Sequence, residues 1–425
     1  MPSSTAVQLR ELLETLLRAP LPIRLRAWDG SETGPTGTPT LIVRNRRALR
    51  RLIWRPDELG LARAYVSGDL DVAGDLSDAL GRLSTLIFRG ADVRGLPKRA
   101  VAARLLRLGL LGPQPKPPPE EIALHGLRHT RHRDSQAISH HYDVGNDFYR
   151  LLLGASMVYS CAYWTSTDAG YDLAGAQRDK LDLICRKLGL KPGMRLLDVG
   201  CGWGGLALHA AREYGVNVVG ITLSAEQADY ARKQVAEAGL TAHVEIRVQD
   251  YRDVDDGPFD AISSVGMAEH VGSGPYGEYA AILYRLLRPG GRLLNHQIAA
   301  IHPGTAGRKK RRSFIDSYVF PDGELAPLGT TVSVLEEAGF EVRDVQALRE
   351  HYGRTLRAWV LNLESDWPTA VKLTGRGRAR VWRLYMAASA LAFEHGRIGV
   401  NQVLAVKARR DGASDLPPTR AAFLV

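Results

Sequence analysis

The chain has 425 residues and a net charge of +10, and 45% of its residues are hydrophobic and 24% charged. Its length predicts two or three domains, and its composition is that of an ordinary globular protein with enough apolar residues to build cores. No apolar run approaches the ~18 residues that cross a bilayer, and residues 1–20 lack the uninterrupted apolar core of a secretory signal. These features argue against an integral membrane protein and against a secreted one.

Cysteine usage indicates the redox compartment of the chain, and the distribution of charge indicates which classes of partner to expect. Cys161, Cys185 and Cys201 are an odd, sparse set, which favours a reducing cytoplasm over a disulfide framework. Residues 1–120 contain 19 Lys and Arg against 12 Asp and Glu, so they hold +7 of the net charge. A basic surplus can serve solubility alone, nucleic acid or an anionic membrane. Because no recognisable nucleic-acid module occurs, we expect no nucleic-acid partner and favour a membrane surface among the binding roles.

The first 112 residues are predicted to form a smaller, mainly helical and basic domain. An amphipathic helix is predicted near the start, where leucines recur at helical spacing: Leu9, Leu12, Leu13, Leu16 and Leu17. A second amphipathic segment spans residues 98–111, and its leucines either pack internally or lie on a lipid surface. For this domain we therefore expect a contact with lipid or with a second copy of the chain in a homodimer.

A proline-rich stretch follows, and we predict that it is a stiff linker. Five prolines crowd residues 113–121, which excludes a helix there. Residues 122–408 are predicted to form one α/β domain with a mostly parallel sheet, and residues 409–425 a disordered tail. Strands are predicted near residues 195–199, 216–221, 244–249, 259–265, 291–299 and 340–347, and helices near 175–188, 204–214, 224–238, 276–287 and 331–338. In such a sheet, ligands bind at the carboxyl ends of the strands.

The stretch 196–205 (LLDVGCGWGG) is the most informative part of the chain. A predicted strand ends just after Asp198, turns through glycines and enters a helical pattern. Glycines let the backbone approach a ligand closely, and the start of a helix supplies free N–H groups. The stretch therefore predicts a nucleotide-binding loop. The spacing of Gly200, Gly202 and Gly205 also satisfies the dinucleotide fingerprint, which alone is a weak indication.

The next strand distinguishes between the two nucleotides that fit this loop. A dinucleotide site needs an acidic residue about 20 residues further on, at the end of the second strand, for the ribose hydroxyls. Here that strand ends in Thr222-Leu223-Ser224. The pattern Asp198-x-Gly200-x-Gly202-x-Gly204 is instead typical of Rossmann-like methyltransferases that use S-adenosylmethionine. That cofactor is the favoured ligand, and the alternatives are a nicotinamide cofactor or a loop without a ligand.

Residues 135–165, both polar and aromatic, are predicted to form a lid over the cofactor. The segment contains the run 139–149 and then Tyr159-Ser-Cys-Ala-Tyr-Trp164. A metal site at His140 and His141 is disfavoured, because adjacent side chains point apart and no Cys/His cluster with zinc spacing follows. No metal is expected.

Motifs over roughly residues 135–407 carry a family resemblance. In chain order they are His141-Tyr142-Asp143, Asn146-Asp147-Phe148, Tyr159-Ser160-Cys161, Leu196 to Gly204, Thr222-Leu223-Ser224 with Gln227, Gly266-Met267-x-Glu269-His270, His296-x-Ile298, Tyr318-x-Phe320-Pro321, Tyr352 with Thr355-Leu356, and Ile398-x-Val400-Asn401-Gln402. The chain resembles the cyclopropane-fatty-acyl-phospholipid synthase family, which includes the mycolic acid cyclopropane synthases. The region before the linker is similar to the N-terminal extension of longer members.

The resemblance implies a Rossmann-like class I methyltransferase with a seven-stranded sheet, which transfers a methyl group to the double bond of unsaturated phospholipid acyl chains. An alkene is a poor nucleophile, so the sulfonium methyl must be held in line against it. Transfer leaves a carbocation, which a dry site with aromatic faces stabilises. Loss of a proton from the new methyl closes a cyclopropane ring. A hydride shift before that step gives a methylene- or methyl-branched chain, and the sequence leaves both products open.

The resemblance also implies that a bound bicarbonate ion is the base. Its ligands would be Cys161, Glu269, His296, the backbone of Ile298, and Tyr352, with Glu269 accepting the bicarbonate proton. Taken alone, Cys161 would be a small buried hydrophobe, and Glu269 and His296 capping or core residues. The residues implied around S-adenosylmethionine are Tyr159, Ser160, Leu196, Leu197, Asp198, Val199, Gly200, Cys201, Gly202, Trp203, Gly204, Thr222, Leu223, Ser224, Gln227, Asp250 and Tyr251.

We state separate expectations for Asp250 and Tyr251, and for two features outside the two residue sets given above. Asp250 suits the adenine amino group, and Tyr251 stands where relatives often carry Trp. Many relatives have Cys where this chain has Ser389, and we expect that Cys to be dispensable because the bicarbonate ligands are complete. The basic run 308–312 either contacts phospholipid headgroups or is a solvated loop. We expect a cytoplasmic enzyme that associates peripherally with the membrane.

Overall fold

The computed structural model describes residues 3–89, 98–122, 144–301, 312–321 and 323–424. In chain order the helices are α1 (Thr5–Leu17), α2 (Arg46–Trp54), α3 (Glu58–Val66), α4 (Leu76–Arg89), α5 (Lys98–Arg107), α6 (Asn146–Leu153), α7 (Leu173–Leu188), α8 (Gly205–Tyr214), α9 (Ala225–Glu237), α10 (Ala268–Val271), α11 (Tyr276–Leu286), α12 (Phe314–Tyr318), α13 (Leu328–Glu337), α14 (Arg349–Ser365), α15 (Trp367–Thr374), α16 (Arg376–Glu394) and α17 (Ala421–Leu424). The strands are β1 (Arg24–Arg26), β2 (Glu32–Thr33), β3 (Thr40–Val43), β4 (Leu70–Ala73), β5 (Arg195–Val199), β6 (Asn217–Thr222), β7 (Val244–Val248), β8 (Phe259–Val265), β9 (Leu287–Ala300), β10 (Glu341–Ala347) and β11 (Ile398–Val406).

The chain divides into two compact units. Unit 1 consists of Met1–Ala123, Lys309–Pro321 and Trp367–Leu391, and unit 2 of Leu124–Arg308, Asp322–Asp366 and Ala392–Val425. The division after Ala123 falls next to the proline-rich segment, where we predicted a domain boundary. The sequence did not predict that residues 309–321 and 367–391 join unit 1, because packing between distant segments leaves no local pattern. Ser389 lies in α16, in the last of these segments.

Unit 1 is mainly helical, as predicted, and also contains a small sheet that was not predicted. The sheet has four strands in the order β2-β1-β3-β4. The helical spacing of leucines in α1 is explained by burial, since Leu9 and Leu12 pack in one cluster with Ile23 and Leu25. Strands as short as these leave too few residues for an alternating pattern to be visible in the sequence.

The proline-rich segment is extended, and it is bonded to α2. Residues 110–118 form neither helix nor strand, as their prolines require. Arg51 Nη1 donates a hydrogen bond to the carbonyl of Lys116 at 2.7 Å, and Trp54 Nε1 donates one to the carbonyl of Gly112 at 3.0 Å. These bonds fix the segment to unit 1 over at least part of its length.

Unit 2 is built around a sheet of seven strands in the order β10-β11-β9-β8-β5-β6-β7. The strands from β9 to β7 in this order run parallel, and β11 runs antiparallel to both β9 and β10. The α/β fold with a mostly parallel sheet is therefore confirmed. All six predicted strands are present. β11 was missed because its run IGVNQVLAV is buried on both faces and shows no alternation of apolar and polar residues.

Helices cover both faces of this sheet. One core lies between the sheet and α7, α8 and α9, and the other between the sheet and α11 and α13. These are the five helices that the sequence predicted beyond the linker, and each begins and ends within three residues of its expected bounds. No helix in the described ranges combines the length and the apolar character needed to cross a bilayer.

The end of the chain is folded, whereas its composition led us to expect disorder over residues 409–425. Arg292 Nη2 donates to the carbonyl of Asp415 at 2.6 Å, and Arg420 pairs with Asp344 of β10. Phe423 in α17 is buried. Polar composition predicted a solvated tail, but ion pairs and a buried aromatic ring hold residues 409–424 in place.

Several expectations concern residues outside the described part of the chain. They are the first part of the lid, residues 135–143, with His140, His141 and the His141-Tyr142-Asp143 motif, and residues 308–311 of the basic run.

Candidate functional site

A cavity lies at the carboxyl ends of β5, β6 and β8, where an α/β fold is expected to bind its ligand. The loop after β5 enters α8 through Gly200, Gly202 and Gly204, whose φ angles are 79°, 55° and 82°. Residues with a side chain rarely adopt this conformation. The amides of Gly200 and Cys201 both donate to the carbonyl of Ile221 in β6 at 2.9 Å. The glycines therefore allow a turn that the neighbouring strand holds in place.

Most of the residues predicted to contact the cofactor line this cavity. They are Tyr159, Ser160, Asp198, Val199, Gly200, Cys201, Gly202, Trp203, Thr222, Leu223, Gln227 and Tyr251. They come from the described part of the predicted lid, the glycine loop, the end of β6 and the 3-10 turn after β7. Segments that are far apart in sequence thus meet at one edge of the sheet.

Four of the remaining predicted residues support the cavity wall from behind. Leu196 and Leu197 are fully buried, one in each core. Gly204 lies against α9, where an added Cβ would come within 3.0 Å of the Ala231 Cβ. Ser224 caps α9, and its Oγ accepts a hydrogen bond from the amide of Gln227. These residues position the lining and do not belong to it.

Asp250 does not have the expected position among the described lining residues. Its carboxylate pairs with Arg252, with 2.6 Å between Oδ2 and Nη2, and also accepts from the Arg252 amide. Its neighbours Gln249 and Tyr251 line the cavity instead. A short 3-10 turn follows the strand there, and the expected contact of Asp250 with the adenine amino group stays a prediction.

The cavity also has lining residues that we did not predict. They are Met157, Val158, Lys180, Leu181, Gly205, Leu206, Ile221, Gln249, Val265, Gly266, Met267 and His270. Gly266, Met267 and His270 belong to a motif of the family resemblance, so a signal for them was present. Lys180 stands in a predicted helix, where a lysine is ordinarily taken to face solvent.

A buried glutamine holds the described part of the lid against α7. Gln177 is fully buried, and its Nε2 donates to the carbonyls of Val158 at 3.3 Å and Ser160 at 2.9 Å. The two bonds fix the backbone on either side of Tyr159. This glutamine lies in the interior of α7, and no local sequence pattern indicated its role.

Lys180 and Asp198 are the charged side chains of the cavity wall, and both are buried. Lys180 Nζ donates to Ser160 Oγ at 2.9 Å, and Ser263 Oγ donates to Asp198 Oδ1 at 2.7 Å. Burial raises the pKa of Asp198 to about 6, although the bond from Ser263 and the charge of Lys180 oppose the rise. Burial likewise lowers the pKa of Lys180 to about 8. Among the described lining residues, the cavity therefore offers one cation and one carboxylate to a ligand.

Glu269 and Ile298, two of the five expected bicarbonate ligands, contact each other directly. The Ile298 amide donates to Glu269 Oε1 at 2.8 Å. The resemblance implied this amide as a donor to the ion, but here Glu269 accepts its hydrogen. Glu269 Oε2 is buried and has no hydrogen-bond partner among the described residues. Burial raises the pKa of this carboxyl to about 7.

His296 lies two residues before Ile298 in β9, so their side chains share one face of the strand. The Gln402 amide in β11 faces His296 Nδ1 at 3.3 Å, and His296 Nε2 is buried without a partner among the described residues. Burial, with the charges of Lys180 and Lys187, lowers the pKa of His296 to about 3. The ring is therefore neutral, and the amide orientation that lets Gln402 donate to Nδ1 assigns the ring proton to Nε2.

Cys161 and Tyr352 meet at one backbone carbonyl. The carbonyl of Leu348 accepts from Cys161 Sγ at 3.7 Å and from the Tyr352 amide at 3.1 Å, and the Leu348 amide donates to Val400 in β11. In the β9–β11 register Val400 lies opposite Ile298. All five residues are thus brought to one edge of the sheet. None of them lines the cavity among the described residues, but their neighbours Ser160, Gly266 and His270 do.

The thiol of Cys161 is not a ready nucleophile. It is fully buried, and burial raises its pKa above the ordinary value. The adjacent amide of Ala162 donates to Thr355 Oγ1 at 3.1 Å, which ties this segment to α14. Cys161 can act here as a weak hydrogen-bond donor and as a packing residue.

Comparison with known proteins shows which family the chain resembles. Residues 129–403 match the family model described as mycolic acid cyclopropane synthetase. The chain is 42% identical, over 97% of its length, to a probable fatty acid methyltransferase of Pseudomonas putida, of which it covers 98%. It is 44% identical, over 93% of its length, to a probable fatty acid methyltransferase of Mycobacterium tuberculosis, of which it covers 93%. It is 41% identical, over 62% of its length, to the cyclopropane-fatty-acyl-phospholipid synthase of Escherichia coli, of which it covers 66%.

A solved structure is similar to the part of the chain that contains the cavity. It is that of a mycolic acid cyclopropane synthase complexed with SAH and CTAB, and it is 35% identical to this chain with a TM-score of 0.60. The match covers 64% of this chain and 97% of the other. It confirms the Rossmann-like class I methyltransferase fold.

Proposed function

The chain belongs to the mycolic acid cyclopropane synthetase family, and from this membership we propose that it converts unsaturated acyl chains of phospholipids into cyclopropane chains. It is a methyltransferase that depends on S-adenosylmethionine. The observation that carries the proposal is that Glu269 and His296, each next to a residue of the cavity wall, both have a buried polar atom without a hydrogen-bond partner among the described residues. We further propose that bicarbonate binds there as the base.

The fit of bicarbonate can be tested on the residues themselves. A buried polar atom without a partner is costly, so two on neighbouring residues of one site favour a small polar ligand. His296 Nε2 carries a proton and can donate to an anion, and Glu269 Oε2 can accept the hydroxyl hydrogen of bicarbonate. Cys161 and Tyr352 meet at the carbonyl of Leu348 through the Cys161 thiol and the Tyr352 amide, and we propose that the thiol and the Tyr352 phenol complete the site as donors. The Ile298 amide contributes through Glu269, which it orients.

When bound, S-adenosylmethionine supplies the methyl group and bicarbonate supplies the base for the proton that the acyl chain releases. The chain itself holds Glu269 with one oxygen fixed and the other directed to the ligand. Gln402 keeps the His296 ring in the tautomer that donates from Nε2. Two groups held in this way retain their orientation without being reorganised during the reaction.

A row of aromatic rings extends from the cofactor cavity to Tyr352, one of the expected bicarbonate ligands, and on to Phe393. Tyr159 lines the cavity and lies 5.4 Å from Trp359, which lies 6.1 Å from Tyr352, which in turn lies 4.6 Å from Phe393. These side chains are largely or fully buried, so they exclude water, and their faces attract a cation. Such a wall suits a reaction in which positive charge develops on an acyl chain.

A second product is supported by a specific observation. Two relatives that match nearly the full chain are named probable fatty acid methyltransferases, and a hydride shift after the same methyl transfer would give a methylene-branched chain. Both products need the same site and lose a proton from the added methyl group. They differ in whether a hydride shifts to the cation before that proton leaves, and a saturated methyl branch would need a further two-electron reduction.

We expect the purified chain to incorporate labelled methyl from S-adenosylmethionine into vesicles of unsaturated phospholipid, and to stop when bicarbonate is removed. Gas chromatography of the methyl esters then separates the products by retention. A cyclopropane ester supports the proposal, and a branched ester supports the second product. Unchanged unsaturated esters would contradict both, and full activity in buffer freed of carbon dioxide would contradict the role of bicarbonate.

An exposed basic and apolar surface of unit 1 supports the proposed peripheral membrane association of a cytoplasmic enzyme. We call it the α2 patch and define it as Arg46, Arg50, Ile53, Trp54 and Leu111. The three apolar side chains are exposed, Trp54 by 55% and Leu111 by 53%. The two arginines donate to the carbonyls of residues 108 and 109, and neither forms an ion pair with a described residue. Cations beside an exposed tryptophan and leucine suit an anionic lipid surface.

Changing Trp54 and Leu111 to Ser together is expected to weaken binding to phosphatidylglycerol vesicles about tenfold. Sedimentation of the chain with the vesicles measures the effect. The control is Val248→Ser, which removes an equally exposed apolar side chain from unit 2 and should leave binding unchanged. Equal losses in both variants would argue against the α2 patch. The homodimer expected from the sequence stays a prediction, which light scattering of the purified chain would measure.

A further inference from the structure

Lys180 and Lys187 are buried lysines on one helix, and they differ in whether a described carboxylate pairs with them. Each is about 1% exposed, and both belong to α7. Lys187 Nζ lies 3.3 Å from the carboxylate of Asp344, so its charge is paired. Lys180 donates to the hydroxyl of Ser160 and forms no ion pair with a described residue. A buried charge is costly unless it is paired, so Lys180 is a cation that needs an anion.

Since no described residue pairs with Lys180, and Lys180 is part of the cavity wall, a ligand in the cavity is the anion that we assign to it. Asp198 lines the same cavity, close enough for each charge to influence the pKa of the other group. The two nevertheless do not pair within 4.0 Å, since each is engaged by a serine hydroxyl. The cavity thus presents a separated cation and carboxylate side by side. This is the complement of an amino-acid zwitterion, which carries an ammonium and a carboxylate on one carbon.

We propose that Lys180 binds the α-carboxylate of the methionine portion of S-adenosylmethionine, and that Asp198 faces the α-ammonium. The inference rests on the proposed assignment of this cavity to the cofactor. Lys180 is then a cofactor-binding residue that the family motifs did not point to. Its bond to Ser160 also ties the described part of the lid to the cofactor, because Ser160 lies beside Tyr159 in the cavity wall.

The alternative is that Lys180 only supports the fold, by anchoring Ser160 and filling space in α7. The two roles make different predictions for ligands that differ in one group. S-adenosylhomocysteine has the carboxylate, whereas S-adenosyl-3-thiopropylamine lacks only that group and keeps the ammonium, the thioether and the nucleoside. If Lys180 contacts the carboxylate, its replacement lowers the affinity for S-adenosylhomocysteine alone.

Isothermal titration calorimetry of the full chain with these two ligands tests the proposal. In Lys180→Met we expect S-adenosylhomocysteine to bind about 10- to 100-fold more weakly, as for the loss of a charged hydrogen bond. The same variant should bind S-adenosyl-3-thiopropylamine as the unchanged chain does, which also shows that the cavity is folded. Lys180→Arg keeps the charge and should recover part of the affinity for S-adenosylhomocysteine.

Two results would overturn the proposal. Equal losses for both ligands would make Lys180 a structural residue, and an unchanged affinity for S-adenosylhomocysteine would mean that its carboxylate lies elsewhere. Failure of the unchanged chain to bind S-adenosylhomocysteine would be a different result, because it would overturn the assignment of the cavity itself. Neither measurement involves lipid, so the outcome does not depend on which acyl product the enzyme forms.

Discussion

Replacing Glu269 with Gln is expected to slow methyl transfer about 10²- to 10⁴-fold, the range for loss of a positioned acid–base group, and to leave binding of S-adenosylhomocysteine unchanged. Gln has the same shape, so its carbonyl can still accept the Ile298 amide that Glu269 Oε1 accepts at 2.8 Å. What changes is the second position, where an acceptor oxygen without a partner becomes an NH₂ donor. The fold and the cofactor cavity therefore survive, and the site loses the acceptor for the bicarbonate hydroxyl.

The matched control for this change is Glu324→Gln. Glu324 is a nearby carboxylate whose Oε2 accepts the Ser273 amide and whose own amide donates to the carbonyl of Glu269. Its side chain belongs to a loop contact, so the amide should keep most of the activity. Label incorporation from S-adenosylmethionine and calorimetric binding of S-adenosylhomocysteine are measured for both variants. If Glu269→Gln kept the activity of the control, the assigned role of Glu269 would be wrong.

The carboxyl of Glu269 determines the expected pH dependence of methyl transfer. Burial raises the pKa of Glu269 to about 7, and the bond from the Ile298 amide opposes the rise only in part. An acceptor must be ionised, so methyl transfer should fall as the pH falls through about 7. The assays are run at a fixed bicarbonate concentration, because bicarbonate itself becomes protonated in the same range. A wild-type rate that stayed constant from about pH 6 to pH 8 would contradict the acceptor role, as would an unchanged profile in Glu269→Gln.

Replacing Trp359 with Ala is expected to reduce the free energy of unfolding by about 3–5 kcal/mol and to release a hydroxylated acyl product. Trp359 is fully buried, and its ring packs between Tyr159 and Tyr352. Its removal opens the aromatic row between the cofactor cavity and the edge of the sheet that holds Glu269. Water that enters this space can add to the cation on the acyl chain before the proton leaves.

Trp359→Phe is the matched control, because it keeps an aromatic face in the row. It also removes the Trp359 Nε1 donor, which is buried without a partner among the described residues, so part of the lost packing is offset. We expect a smaller loss of stability and no hydroxylated product. Urea unfolding followed by circular dichroism gives the stability, and mass spectrometry of the esters detects the alcohol. Alcohol from both variants, or from neither, would show that the ring does not exclude water.

The cofactor loop and Asp250 show that local sequence can predict backbone conformation but not the direction of a side chain. The turn through Gly200, Gly202 and Gly204 was predicted because positive φ angles and a close approach to a ligand require glycine at those positions. Asp250 was placed at the correct turn, but its carboxylate pairs with Arg252. A short turn can direct either of two adjacent side chains inward, and the sequence carries no signal for that choice.

The residues missed by the sequence share a cause. Lys180 and Gln177 lie in a helix whose pattern gives their burial no special meaning, and each acts on Ser160, more than 15 positions away. Gln402 belongs to a motif of the resemblance, but nothing in that motif indicated its contact with His296. Lysine and glutamine are ordinarily surface residues, so their burial becomes visible only when the partner is known. The folded C-terminal segment was missed for the same reason, since its pairing with Asp344 joins distant residues.

The amino-acid sequence by itself determined the nucleotide loop, the alternation of strands and helices around it, and the set of motifs that identifies the family, because these depend on backbone conformation and on periodicity within short stretches. Only the tertiary structure decided which side chains share a buried space. It placed the Ile298 amide on Glu269 rather than on a ligand. It also put Lys180 and Asp198 in the wall of one cavity without an ion pair between them. The physical reason is that desolvation and pairing of charges depend on neighbours in space, which a linear pattern does not specify.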